Sequence, residues 1–210
     1  MNQARFTRFD ESTADDWAII DAHFQIYQND ASRRVLEHLL RLKGDNHGYP
    51  IDRYAHCLQT ASRALDAGID EETVVCALLH DIGDDLAPAN HAEIAAAILE
   101  PYIDPLNVWM IRHHELFQGY HYRAFYGLDP HAREAYRDHP AYARTARFCD
   151  EWDQRAFDPD YPSRPLEYFV PMVERIFSRE PFGGAPSGGA PPGDAPAETS
   201  GVASDTKVRS

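Results

Sequence analysis

The side chains best suited to chemistry in this chain are His56, the neighbours His80 and Asp81, His91, the neighbours His113 and His114, and Asp153. Imidazole nitrogen and carboxylate oxygen together suit Fe, Mn, Co, Ni or Zn. Cys57, Cys76 and Cys149 form no CxxC pair, which disfavours a cysteine-rich zinc site or an iron–sulfur cluster. The chemistry implied is that of an N/O-bound metal centre.

The strongest local feature is LLHDIGD, residues 78–84, an apolar run ending in two ligand-type residues and a glycine. Adjacent helical residues point about 100° apart, so His80 and Asp81 can approach two metals from one backbone segment. That arrangement suits a carboxylate bridging two ions beside an imidazole that binds one. The same angle separates His113 from His114, so one of them is expected to enter the site, and residue type alone does not choose. Glu115 could orient an imidazole, or be a solvated helix acid. Asp153 follows Trp152 in FCDEWD, and a buried aspartate there needs a partner or a metal; Asp150 competes with it.

These residues must be positioned by helices. Apolar spacing predicts helices over Trp17–Leu42, Asp52–Ala67 and Asp70–His80, then a break at HDIGDDLAPANH. An alanine-rich helix is expected from His91 to Pro101, and another from Asp104 or Pro105 through WMIRHHELFQGYHY. Residues 130–153 read as helical with an interruption at His139-Pro140, and a last amphipathic helix follows Pro165. Few stretches alternate at period two, so the domain is expected to be all-α. It should occupy residues 16–180, between a flexible N-terminal segment, 1–15, and a disordered Gly/Pro-rich tail, 181–210.

A formal charge of -14, from 34 acids against 20 bases, opposes general binding to nucleic acid or anionic membranes. The N-terminal stretch lacks the apolar core of a signal peptide, no run is long enough to span a bilayer, and the cysteine usage is that of a reducing compartment. A cytoplasmic location is the expectation.

The order H…HD…H…H…D resembles the HD-domain superfamily of helical bundles, which includes metal-dependent phosphohydrolases. More narrowly, HCLQTASRALDAGIDEETVVCALLHDIG, residues 56–83, resembles the mixed-valent diiron oxygenase branch that contains PhnZ-type phosphonate oxygenases and myo-inositol oxygenase. The likeness runs over about residues 46–177. It implies His56, His80, Asp81, His91, His114 and Asp153 as metal ligands, with Asp81 bridging. It also implies two iron ions, Fe(II)/Fe(III), with O₂ as cosubstrate.

Departures from the branch bear on substrate. Asp84, Gln118 and Asp150 stand where PhnZ-like enzymes carry a histidine, a lysine and an arginine. Those replacements point away from a simple phosphonate and towards a small hydroxylated molecule, polyol or cationic. Tyr49 falls in a loop where the branch carries a lid, as a substrate contact or as a packing residue. The reading is an oxygenase that cleaves a bond oxidatively, with Tyr49, Asp84 and Gln118 at the substrate. The alternatives are an HD-type phosphohydrolase using Mn, Co, Ni or Zn, and a non-catalytic metal-binding regulatory module.

Overall fold

The computed structural model describes residues 3–184, and every regular element among them is helical. The segment expected as a tail therefore falls outside the described residues beyond Gly184. No described helix is long and apolar enough to cross a membrane.

Helix α1 spans Ala14–Asn29 and α2 spans Ala31–Leu39, so the single helix expected over Trp17–Leu42 is two. The break is at Asp30, whose backbone leaves the helical region (φ -93°, ψ 11°) while its carboxylate takes the guanidiniums of Arg33 and Arg34. Aspartate competes with the helix in this way because its side chain offers an alternative local partner. Thr13 starts α1 with a reciprocal capping box to Asp16. None of the residues of α1 is buried, and Phe6, Phe9 and Trp17 stack on one another at its beginning.

The core is formed by α3 (Arg53–Asp66), α4 (Glu71–Leu79), α6 (Pro105–Tyr122) and α8 (Leu166–Phe177), with α5 (His91–Leu99) laid against α6. Asp52, Asp70 and Asp104 cap α3, α4 and α6 by accepting the backbone N–H of Ala55, Thr73 and Leu106. Gly68 ends the turn after α3 in the left-handed region at φ 70°, which a side chain would disfavour. α4 is buried from Thr73 to Leu79, as a helix that is apolar all round must be.

Two local irregularities place the candidate site. After α4 the chain turns through His80–Gly83, and Gly83 lies so close to the start of α5 that a Cβ there would sit 2.6 Å from the His91 carbonyl oxygen. After His139-Pro140, α7 (Tyr142–Arg147) runs directly into a π-helical segment, Phe148–Asp153. Its Gln154 N–H bonds the Cys149 carbonyl five residues back, at 3.0 Å. The widened turn shifts Asp153 out of the phase set by α7 and leaves it fully buried.

Candidate metal centre

Five elements deliver six side chains to one buried point. His56 comes from the second turn of α3, His80 and Asp81 from the end of α4, His91 from the first residue of α5, His114 from α6 and Asp153 from the π-helical segment. His56, His80, Asp81, His114 and Asp153 are buried, and the side chain of His91 is 12% exposed.

The atoms fall into two groups that share one carboxylate. Asp81 Oδ2 lies 3.6 Å from His56 Nε2 and 3.5 Å from His80 Nε2, while Asp153 Oδ1 lies 3.1 and 3.5 Å from the same nitrogens. Asp81 Oδ1 faces the other way, 3.3 Å from both His91 Nε2 and His114 Nε2. His56, His80 and Asp81 could together hold one ion, and Asp81, His91 and His114 another, while a third overlapping set, His80, His114 and Asp153, links the two.

All four imidazoles are turned inwards by the same device. Nδ1 of His56, His80, His91 and His114 bonds the carbonyl oxygens of Ala156, Ala77, Pro88 and Ile111, at 2.7–3.0 Å. A carbonyl only accepts, so each Nδ1 carries its proton, and each Nε2 presents a lone pair when its ring is neutral. His56 and His80 then bring two lone pairs within 3.1 Å, and His91 and His114 within 3.3 Å. Asp153 Oδ2 is buried without a partner among the described residues. Electron pairs gathered this closely need a cation or a proton between them. Burial alone would lower His80, yet the carboxylates of Asp81 and Asp153 raise it to about 9. Burial alone would likewise raise Asp153, and the imidazoles of His56 and His80 hold it low instead. The donor set, with its orphaned oxygen and facing nitrogens, fits first-row transition metals.

The pattern of these residues along the chain matches one family model, over residues 53–154. An HD domain is found there. Its match begins one helical turn before His56 and ends just after Asp153, so it encloses all six converging side chains. No curated protein matches the chain.

Around the HD-domain centre, the structure separates residues that the sequence left undecided. His114 points into the cluster, whereas His113 bonds the Trp109 carbonyl and stacks on the Trp109 ring at 3.9 Å. Glu115 is exposed, and carbonyls rather than carboxylates orient the imidazoles. Gln118 donates to Asp153 Oδ1 at 2.8 Å, which places it behind a candidate ligand. Asp84 accepts from Arg53 Nε at 3.1 Å, and Asp150 is bound by Arg133 and His121 at 2.9 and 2.8 Å. Both acids are therefore already paired with cationic or cationisable groups.

Tyr49 is 44% exposed and stacks on Phe157, which stacks in turn on His56 at 4.4 Å. The loop residue is thus linked to the centre through one phenyl ring. Phe157 and Arg53 are the neighbours that sequence reasoning passed over. Arg53 stands three residues before His56, a spacing that puts both on one face of α3 and could have signalled it.

Proposed function

We propose that the chain is an O₂-dependent oxygenase that works with a pair of iron ions on a small hydroxylated substrate and cleaves a bond oxidatively. The observation that carries this reading is a set of three overlapping donor groups, two of which share Asp81 while the third joins His80, His114 and Asp153. Asp81 Oδ2 meets His56 and His80 beside Asp153, whereas among the described residues Asp81 Oδ1 meets His91 and His114. Three protein donors leave room at an ion for a substrate oxygen and a second small molecule, whereas a purely structural site is usually closed.

A bound iron pair would supply oxygen activation and one-electron chemistry. The protein's part is to hold and shield. Asp81 spaces the two pockets, the carbonyl-bound Nδ1 atoms fix ring orientation, and Gln118 steadies Asp153. Phe148 meets His80 edge-on at 5.5 Å and Phe157 covers His56, which limits water at the more enclosed pocket. None of the four inward histidines is free to serve as a general base.

Phosphate-ester hydrolysis is the second reading, favoured by the HD-domain match itself. There the ions would act as Lewis acids on a phosphoryl oxygen. Metal analysis of protein purified without oxygen, followed by electron paramagnetic resonance after partial oxidation, separates the two. Two irons per chain with a mixed-valent signal are expected. Stable mononuclear zinc that cannot be exchanged for an iron pair would sink the oxygenase. Phosphate release from esters under anaerobic conditions would establish the hydrolase, and tight metal without either turnover would indicate a regulatory module.

A further inference from the structure

Arg53 is the first residue of α3, and its side chain is four-fifths covered at the edge of the centre. Its Nη1 lies 3.4 Å from Asp81 Oδ2, the oxygen that faces His56 and His80. Its Nε donates to Asp84 Oδ2 at 3.1 Å, and the guanidinium carbon sits 4.5 Å from the centre of the Tyr49 ring. A cation at the start of a helix gains nothing from the helix dipole. What holds this one in place is the pair of carboxylates and the ring beneath it.

Two features give the guanidinium spare capacity. An arginine has five N–H donors in a fixed fork, and Nη2 of Arg53 makes no hydrogen bond among the described residues. The Asp81 contact is also long, at 3.4 Å.

Charge points the same way. With two divalent ions in the pockets, the carboxylates touching the centre or Arg53 are Asp81, Asp153 and Asp84. Three negative charges then face two dications and one guanidinium, which leaves two positive charges uncompensated. Asp150 does not offset them, because Arg133 and His121 already engage it. Asp85 pairs with Arg41 at the exposed side of the same turn. A cationic substrate would add to the excess; an anionic one would relieve it.

We propose that Arg53 is a specificity-determining residue that binds an oxyanion substituent of the substrate, carboxylate or phosphonate, beside the metal pair. The substrate class is then a small hydroxylated acid, with its hydroxyl towards the ions and its oxyanion on the Nη edge of Arg53. Tyr49 supports the guanidinium from below, so the loop over residues 44–50 takes part through Arg53 rather than by touching the ions. This inference rests on the two-ion centre proposed above, and is indifferent to the redox chemistry that follows.

The test is calorimetric titration of the full chain, loaded with iron(II) without oxygen, against four probes of similar size. These are glycolate, methylphosphonate, 1,2-ethanediol and ethanolamine. One oxyanion should bind on the order of tenfold to a hundredfold more tightly than the neutral diol, the range for a charge-assisted pair. The stronger of the two names the substituent. Arg53→Gln should remove most of that preference at unchanged iron content, and Arg53→Lys should keep part of it. Arg41→Gln, which breaks a surface pair, should leave the preference intact. A preference that survives in Arg53→Gln, or ethanolamine as the best ligand of the wild type, overturns the proposal. Where Arg53→Gln loses iron, the ratio is read in Arg53→Lys, and full retention of wild-type selectivity for both oxyanions there counts against a fork-specific contact. Fewer than two irons in the wild type counts against the centre, and is read separately from the ligand ratio.

Discussion

Asp81→Asn is expected to release both metal ions, while His91→Ala releases one. Among the described residues, Asp81 is the one whose two oxygens face different imidazole pairs, Oδ2 towards His56 and His80 and Oδ1 towards His91 and His114. An asparagine keeps the volume but has a single acceptor, and its NH₂ group cannot coordinate. The negative charge that offsets two cations is lost with it. The fall in affinity should exceed the roughly 10–100-fold typical of losing an outer partner of a metal ligand. His91→Ala leaves His56, His80, Asp81 and Asp153 untouched, so one ion should remain. Metal content per chain, read beside a circular dichroism spectrum to verify folding, distinguishes the cases. An Asp81→Asn protein that retains two ions would refute the bridging role.

Gly83→Ala should damage the second pocket without touching any donor. A Cβ at Gly83 would lie 2.6 Å from the His91 carbonyl oxygen, 2.8 Å from Ile94 Cβ and 2.9 Å from His91 Cα. Two of these atoms are backbone, so the start of α5 itself must move. Asn90 provides no side-chain cap to hold that end in place. Overpacking of this kind costs about 1–3 kcal/mol, and the displaced residue is His91. The expected result is a lower melting temperature together with loss of about one ion, while the pocket built on His56 and His80 keeps its own. Gly68→Ala makes a control: it is strained by its positive φ, at a cost of about 1–2 kcal/mol, but stands past the C-terminal end of α3, the end opposite His56. Equal metal content in the two variants would show that α5 yields elsewhere and that Gly83 does not set His91.

The helices that position the centre were largely legible in the sequence. Asp52, Asp70 and Asp104 stand where caps belong, and the apolar body of α4 stops where the ligand-type residues begin. The split between α1 and α2 was not legible, because no glycine or proline marks it and Asp30 acts through side-chain contacts. The π-helical turn was equally hidden, since one wider turn hardly disturbs an apolar pattern. At the centre, neighbouring histidines could not be told apart by type. The Trp109 ring that removes His113 is four residues away on the same helix, but its stacking depends on packing against Tyr136 and His139. The pairing of Asp84 and Asp150 was not legible either, because their arginines, Arg53 and Arg133, lie 31 and 17 residues away in the chain. Charge pairing over such distances is a property of the fold.

The two pockets also differ in what they tie together. His56 is anchored to Ala156, 100 residues further along, and its pocket includes Asp153. The other pocket joins Asp81 to His114, 33 residues apart. An ion in the first pocket would therefore act as a cross-link closing a loop about three times longer, in the manner of a disulfide. Loop-closure entropy makes the longer link worth roughly 1 kcal/mol more than the shorter for equal bond strengths. Stepwise chelation should show this as unequal thermal penalties, small for the ion held by His91 and His114 and larger for the one held by His56 and His80. Equal penalties would mean that the unliganded chain already keeps its two ends together. With unequal ones, the first ion fastens the molecule, and the second can be exchanged or oxidised with the frame intact.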